Sequence, residues 1–160
     1  TIATPHRGTS IAELLLTTPD LIQEAVSGIF NFLGEGVYPK NMSDSIGALR
    51  QLTRAYVVDT FNPEVEDHPG VQYFSYSAAV GKGTDAPLNP VYRFQNVQIY
   101  QKEGKNDAFV SEKSAIWGEH VKTVPLSHIE QMVIQVSRER KSLVEDFWRD
   151  VALYLQECGL

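Results

Sequence analysis

Strand-like and helix-like apolar patterns alternate along this chain, and this alternation constrains its fold more than any other feature. Residues 71–77 are aromatic and β-branched with partial alternation, and residues 121–126 have the composition of another short strand. Residues 1–4 are rich in β-branched side chains and are closed by Pro5, which is typical of the end of a central strand. Helical patterns separate and follow these strands, so the sequence predicts an α/β layer fold with a largely parallel sheet.

The helical stretches are marked by apolar residues that recur on one face at intervals of three and four. In chain order these faces are Ile11, Leu14 and Leu15; Ile22, Ala25, Val26, Ile29, Phe30 and Leu33; Ile46, Leu49, Thr53, Tyr56, Val57 and Phe61; and Leu143, Phe147, Val151 and Leu155. Ser43 or Asp44 can cap the third helix, and Asn62-Pro63 is expected to end it. Residues 91–101 favour a short helix, but their pattern also fits a strand.

Composition places the chain among single-domain globular proteins and excludes several partners. Its 160 residues carry a net charge of −6 without a basic block, so nucleic acid is not an expected partner. Charged residues interrupt the apolar stretches before they reach the roughly 20 residues of a membrane-spanning helix. Cys158 is the only cysteine, which excludes an intrachain disulfide and favours a reducing, intracellular compartment, cytoplasmic or mitochondrial. Because the chain opens inside a strand pattern, without an initiator methionine, we expect it to be part of a longer protein.

An acidic residue in a turn-like segment precedes a histidine at the end of a predicted strand. Asp107 lies in the first of these places and His128 in the second, and this is the order of the last two members of a Ser-Asp-His triad on an α/β sheet. The nucleophile of such a triad lies earlier, in a Gly-x-Ser-x-Gly turn, and this sequence contains no such turn. The residues alone leave alternatives open: Asp107 can be an ordinary turn former, and His120 can replace His128 as the base.

Four segments together carry a resemblance to a known family. They are residues 1–8, Thr-Ile-Ala-Thr-Pro-His-Arg-Gly; residues 61–63, Phe-Asn-Pro; residues 71–76, Val-Gln-Tyr-Phe-Ser-Tyr; and residues 104–111, Gly-Lys-Asn-Asp-Ala-Phe-Val-Ser. This combination resembles the C-terminal half of fungal triacylglycerol lipases, of the yeast mitochondrial type, in the α/β-hydrolase superfamily. Bacterial secreted lipases have similar patterns, Asn-Asp-Gly-Leu-Val and His-Leu-Asp. Here Ala108 and Phe109 replace glycine and leucine, and the second pattern reads His128-Ile129-Glu130.

The resemblance implies a fold, an activity and roles for individual residues. Residues 1–160 would form the C-terminal part of one α/β-hydrolase domain, with residues 9–40 as a helical, lid-like region. Asp107 would be the triad acid and His128 the general base for hydrolysis of a lipid or another acyl ester. The nucleophilic serine and the oxyanion hole would come from an N-terminal segment or a companion chain that carries Gly-x-Ser-x-Gly.

The resemblance also bears on ligands. His6 would shape the wall of the site without touching substrate, and no cofactor is expected. In bacterial relatives an acidic residue after the triad histidine helps to hold calcium, and Glu130 has this position. No upstream acidic partner is identifiable in the sequence, so we expect no metal. The alternative to an enzyme is a hydrolase-like domain without activity, which binds lipid or a protein partner through the apolar residues 11–33.

Overall fold

The computed structural model describes residues 1–18 and 45–160. The predicted helix that carries Ile22 and Leu33, the cap at Ser43 or Asp44, and most of the lid-like region 9–40 lie outside the described residues.

Parallel strands form the centre of the described structure. Strand β1, Phe74–Ala78, pairs in parallel with β2, Glu119–Val124, and Ile2 makes a parallel bridge to Tyr76 on the other side of β1. The N-terminal residues therefore pair as the end of a neighbouring strand, and the prediction of an α/β fold with a parallel sheet is confirmed. Both strands are offset from their predicted ranges, and Val71, which was assigned to the first, is 52% exposed outside it.

Helices precede, connect and follow the strands. Their bounds are α1, Ser10–Thr17; α2, Ser45–Gln51; α3, Arg54–Tyr56; a π-helical turn, Val57–Phe61; α4, Asn62–Glu64; α5, Arg93–Glu103; α6, Glu112–Ala115; α7, His128–Gln131; and α8, Lys141–Glu157. Short 3₁₀ turns, Pro90–Tyr92 and Arg138–Arg140, lead into α5 and α8. The helical prediction for residues 91–101 and the terminal helix are confirmed. Within the described part of the chain, no helix is long and apolar enough to cross a membrane.

The prediction that Asn62-Pro63 ends a helix is wrong. The helical backbone continues to Glu64, and the turn before the proline is of the wide π type, Val57–Phe61. The Asn62 N–H bonds to the Val57 carbonyl in this wide turn. A proline ring cannot donate a hydrogen bond and crowds the carbonyl four residues earlier. A π turn widens the helix at this place, which lets the helical path continue past Pro63.

The main hydrophobic core lies between the sheet and α8. Its buried members are Tyr76, Ala78, Val124, Leu126, Val144 and Phe147. The Tyr76 and Phe147 rings meet edge to face with their centroids 5.8 Å apart, a favourable arrangement for aromatic pairs. A second cluster joins α1 to α2 through Ala12, Leu15 and Leu49. Val144 and Phe147 of α8 belong to the same cluster as Leu126, so α8 helps to hold the chain that follows β2 in place.

Two loops that follow the strands meet at one end of the sheet. Beyond β1 the chain remains buried through Val80, whose N–H donates to the carbonyl of Asn106 at 2.9 Å. Beyond β2 it passes through the buried Leu126 to Ser127. Carboxyl ends of neighbouring parallel strands lie at the same edge of a sheet, so residues 106 and 127 are brought to one place.

Candidate active site

Two buried asparagines determine the shape of residues 104–111, here called the acid loop. The Asn96 amide donates to the Val80 carbonyl at 2.9 Å and to Asn106 Oδ1 at 2.8 Å. In return, Asn106 Nδ2 donates to the Asn96 and Gly104 carbonyls, each at 3.0 Å. Asn106 Oδ1 also accepts the Ala108 N–H at 2.9 Å. These bonds join the acid loop to α5 and to the end of β1, so the loop is positioned by rigid elements on two sides.

The Asp107 carboxylate is fully buried and accepts four hydrogen bonds. Oδ1 accepts the backbone N–H groups of Phe109 and Val110 at 3.0 and 2.7 Å. Oδ2 accepts His128 Nδ1 at 2.8 Å and Gln131 Nε2 at 3.2 Å. A buried carboxylate is costly unless its oxygens are paired, and here both oxygens have two donors each. The turn places Ala108 at φ +83°, where the related pattern has glycine.

His128 is held against Asp107 by its backbone as well as by its ring. The His128 N–H donates to the Asp107 carbonyl at 3.0 Å. Ser127 caps α7 through a capping box with Glu130, which fixes the first turn of the helix that His128 begins. The Phe109 ring packs on the imidazole with centroids 5.4 Å apart. The structure thus brings the acid and the histidine proposed from the sequence into direct contact.

Geometry also sets the tautomer of the imidazole. An ionised carboxylate only accepts, so Nδ1 carries the proton and neutral His128 has Nε2 as its acceptor. Nε2 has no hydrogen-bond partner among the described residues, and the side chain is 29% exposed. Burial opposes charge on the ring, but the charge and the hydrogen bond of Asp107 outweigh it and raise the pKa of His128 above 6.5. The pair can therefore accept a proton at Nε2 and stabilise the imidazolium.

Comparison with known proteins gives a structural relationship and no sequence family. No protein-family model matches the chain, and no curated protein sequence matches it. A lipase from Staphylococcus hyicus superposes with a TM-score of 0.68 at 17% identity, over 98% of this chain and 56% of that protein. The fold is lipase-like. The Bacillus licheniformis lipase BlEst2, in its mature form, matches with a TM-score of 0.48 at 21% identity, over 80% of this chain and 46% of that one.

The structural relationship supports part of the resemblance drawn from the motifs. A partial α/β-hydrolase fold is shown by the superposition on the S. hyicus lipase. The chain spans about 56% of the length of that lipase. The S. hyicus lipase is bacterial, and a relationship to the fungal mitochondrial-type family is not shown.

His120 and His6 lie in different surroundings in this lipase-like fold. His120 is on β2, and its Nε2 lies 2.9 Å from Ser77 Oγ, a hydroxyl that is fully buried. His6 stacks on Trp117 with centroids 5.3 Å apart, and its Nε2 lies 3.0 Å from Thr1 Oγ1. Burial lowers the pKa of His6, and the charges of the N-terminus and Arg7 lower it further. The carboxylate contact to Asp107 is made by His128.

Glu130, the position associated with calcium in bacterial relatives, has a protein cation as its partner. Its carboxylate accepts the N–H of Ser127 at 2.8 Å and the Arg140 guanidinium through both oxygens. The burial of Glu130 opposes its charge, but these donors outweigh the burial and lower its pKa. Calcium needs several oxygen ligands, and within residues 1–18 and 45–160 no group of three acidic, histidine or cysteine side chains could hold a metal. The residues present at Glu130 therefore do not fit a calcium site.

One surface cleft lies behind the candidate site. Its volume is about 460 Å³, and it is bordered by Leu88, Tyr92, Ser127, Ile129 and Arg140 among others. Residues on both sides of His128 line this cleft, but His128 does not.

Sequence reasoning missed two side chains that contact the pair. Gln131 donates to the acid, and Phe109 packs on the histidine. The sequence analysis placed His128 at the end of a strand and predicted no helix there, whereas the structure shows that His128 begins α7. The Ser127-x-x-Glu130 pattern is the signal that could have located this helix, and a helix there would have placed Gln131 on the same face as His128.

Proposed function

We propose that this chain is part of a serine carboxylic ester hydrolase, a lipase or related acyl esterase, in which Asp107 and His128 are the triad acid and the general base. The observation that carries the proposal is the 2.8 Å bond from His128 Nδ1 to a carboxylate that is fully buried. The lipase-like fold supports it, since in this fold the acid and the histidine follow later strands. A kinship with fungal mitochondrial-type lipases rests on the sequence motifs.

In the proposed reaction, each group has a task in ester hydrolysis. His128 Nε2 would take the proton of a serine hydroxyl as that oxygen attacks the ester carbonyl, and would later return it to the leaving alcohol. Asp107 would hold the Nδ1–H tautomer and stabilise the imidazolium formed in between. The two N–H groups on Oδ1 keep the carboxylate from rotating, and the backbone bond from His128 to Asp107 keeps the two loops in register.

We propose that the nucleophile and the oxyanion hole are supplied by a further segment or a companion chain that carries Gly-x-Ser-x-Gly. Ser75 and Ser77 are fully buried, and no serine in the sequence has the flanking glycines of a nucleophile turn. The substrates proposed are triacylglycerols and simpler acyl esters, so the enzyme would act in lipid degradation.

The test uses the longest protein that contains this chain and a series of short p-nitrophenyl esters. Asp107→Asn and His128→Gln should each lower kcat/KM by about three to four orders of magnitude, the usual cost of losing a triad member. His120→Gln is the matched control and should retain activity. Unchanged hydrolysis in both Asp107→Asn and His128→Gln would overturn the site assignment. Labelling of the isolated 160-residue chain by a serine-directed phosphonate, with ester turnover, would overturn the division between two segments.

The alternative, a non-enzymatic domain that binds through residues 11–33, has no specific observation in its favour. The described part of this region, α1, uses Ala12 and Leu15 to pack against Leu49. The rest of the region lies outside the described residues.

A further inference from the structure

A third side chain contacts the acid of the proposed triad. Gln131 Nε2 lies 3.2 Å from Asp107 Oδ2, the same oxygen that accepts His128 Nδ1 at 2.8 Å. A carboxylate oxygen has two lone pairs in the plane of the group, and here the imidazole and the amide each occupy one. Neither the sequence motifs nor the proposed triad assigns Gln131 a role.

The surroundings of Gln131 settle the orientation of its amide. Two acceptors lie near the same end of the side chain, Asp107 Oδ2 at 3.2 Å and the Ser127 carbonyl at 3.3 Å. Only the NH₂ end of the amide can satisfy both, because the carbonyl end would face two oxygens and repel the carboxylate. Gln131 is therefore a donor to Asp107.

Gln131 is also fixed in place from two directions. Its N–H donates to the Ser127 carbonyl at 3.2 Å, which closes α7, and its own carbonyl accepts Trp148 Nε1 from α8 at 3.1 Å. The residue is 4% exposed. The amide that meets Asp107 is thus held by the helix that begins with His128 and by the helix that covers the sheet.

We propose that Gln131 is a positioning residue for the Asp107–His128 pair, in which its amide holds carboxylate oxygen Oδ2 in line with His128 Nδ1 and shares the negative charge of that oxygen. The inference rests on the proposed function in so far as the pair is catalytic. The contact itself is independent of any nucleophile, so it can be tested on this chain.

The contact has a defined consequence for protonation of the imidazole. A donor on Oδ2 places its positive end beside the carboxylate and close to the ring, which weakens the attraction between Asp107 and the imidazolium. The Phe109 and Val110 N–H groups still hold the carboxylate through Oδ1 when the Gln131 donor is removed. More of the Oδ2 charge is then available to the imidazolium, so we expect the pKa of His128 to rise. Other charges nearby are already paired: Glu130, on the same helix, is neutralised by Arg140. Phe109, from the acid loop, packs its uncharged ring against the His128 imidazole.

The experiment is an NMR titration of the imidazole C–H signals in the 160-residue chain and in Gln131→Met, which keeps the length and removes the donor. The His128 signal is assigned by its loss in His128→Gln. We expect Gln131→Met to raise the pKa of His128 by about half a unit to one unit, as for loss of one hydrogen bond to the charged partner. Gln156→Met, an exposed change on α8, is the matched control and should leave it unchanged.

An unchanged His128 titration in folded Gln131→Met would overturn the inference, even if the variant were less stable, because a merely structural role predicts lower stability alone. If Gln131→Met does not fold, Gln131→Leu provides the test, because it also removes the donor to Oδ2. It should raise the pKa of His128 by a similar amount, and a value at or below the wild-type one would contradict the proposal.

Activity separates this inference from the proposed function. In the longest active protein, the acidic limb of kcat/KM for a p-nitrophenyl ester should move to higher pH in Gln131→Met by the shift seen in the titration. If the titration moves but no ester is hydrolysed by any form of the protein, the proposed function fails and the role of Gln131 in the pair stands. If hydrolysis depends on Asp107 and His128 but neither limb nor titration moves, the inference about Gln131 fails alone.

Discussion

Replacement of Arg140 by methionine should destabilise the protein at the point where α7 begins. The guanidinium Nε bonds to Glu130 Oε1, and Nη2 bonds to Glu130 Oε2 at 3.1 Å and to the Pro125 carbonyl at 2.6 Å. Glu130 in turn accepts the N–H and the hydroxyl of Ser127 at 2.8 and 2.9 Å. Arg140→Met keeps the apolar stem and removes the cation. The Glu130 carboxylate then keeps only its two donors from Ser127, the residue that precedes His128.

The cost follows from the burial of the pair. The side chains of Arg140 and Glu130 are 16% and 11% exposed. Removing one partner of a fully buried ion pair costs about 3–5 kcal/mol. Water can reach part of this carboxylate, and the two Ser127 donors remain. We therefore expect the free energy of unfolding to fall by about 2–3 kcal/mol, in the range of charge-assisted hydrogen bonds.

Urea unfolding followed by tryptophan fluorescence measures this change, provided the m-value stays constant. The matched control is Arg149→Met: Arg149 pairs with Asp146 at 2.7 Å, but the two side chains are 65% and 58% exposed. It should cost less than about 0.5 kcal/mol. The double variant Arg140→Met with Glu130→Gln should recover part of the loss, because the buried charge is then removed together with its partner.

The pH dependence of the destabilisation provides an independent test of the same prediction. The pKa of Glu130 lies below its usual 4.5, so its contribution to stability is present above 4.5 and is lost as the pH falls through the lower, folded-state value. The difference between wild type and Arg140→Met should therefore be largest near neutral pH and should shrink in acid. Equal costs for Arg140→Met and Arg149→Met, or a difference that grows in acid, would refute the reasoning.

Three further predictions concern strain, protonation and the buried amides. Val133 is β-branched, lies at φ +61° and is 65% exposed, so Val133→Gly should raise the free energy of unfolding by about 1 kcal/mol. Val91→Gly, at an exposed site without positive φ, should lower it by about 0.5–1 kcal/mol. Thermal melting compares the two variants. Because Asp107 raises the pKa of His128, their bond stabilises the fold fully below pH 6.5 and progressively less as pH rises through the folded-state value; Asp107→Asn should abolish this slope in urea titrations between about pH 5.5 and 8.5. Asn96→Leu should cost about 2–4 kcal/mol in urea unfolding. It leaves the Val80 carbonyl and the Lys82 N–H without partners and removes one of the two donors to Asn106 Oδ1. A cost below about 1 kcal/mol would contradict the role given to this network.

The sequence predicts those parts of the fold whose signal is local and repeated. Helix α8 shows its apolar face over several turns, and the structure buries Val144 and Phe147 from it. The parallel arrangement follows from strands that alternate with helices, and it is confirmed by the pairing of β1 with β2. Strand limits are less predictable, because Val71 has strand-forming chemistry but finds no partner in the sheet.

Parts of the candidate site escape prediction because they depend on contacts between distant residues. Helix α7 has four residues, too few for a period to be visible, and it exists because Ser127 and Glu130 cap it and Arg140 holds Glu130. Gln131 gains its role only when α7 brings it to Asp107, 24 positions earlier in the chain. The sequence singled out Asp107 and His128 as a pair because their motifs resemble those of a known family. Such a resemblance carries information about contacts between distant residues, which a local pattern lacks.

The candidate pair is formed by this chain's own residues, and this limits what any further segment has to supply. The acid loop is held by Asn96 and Asn106, and His128 is joined to Asp107 by both backbone and ring. None of these bonds involves a nucleophile, so the pair is assembled by this chain alone. In the proposed hydrolase, a further segment would supply a hydroxyl within reach of His128 Nε2 and donors for the oxygen of the ester. Because Nδ1 is bound to Asp107, that hydroxyl would have to approach the opposite edge of the ring, so the proposal predicts the direction from which a serine enters.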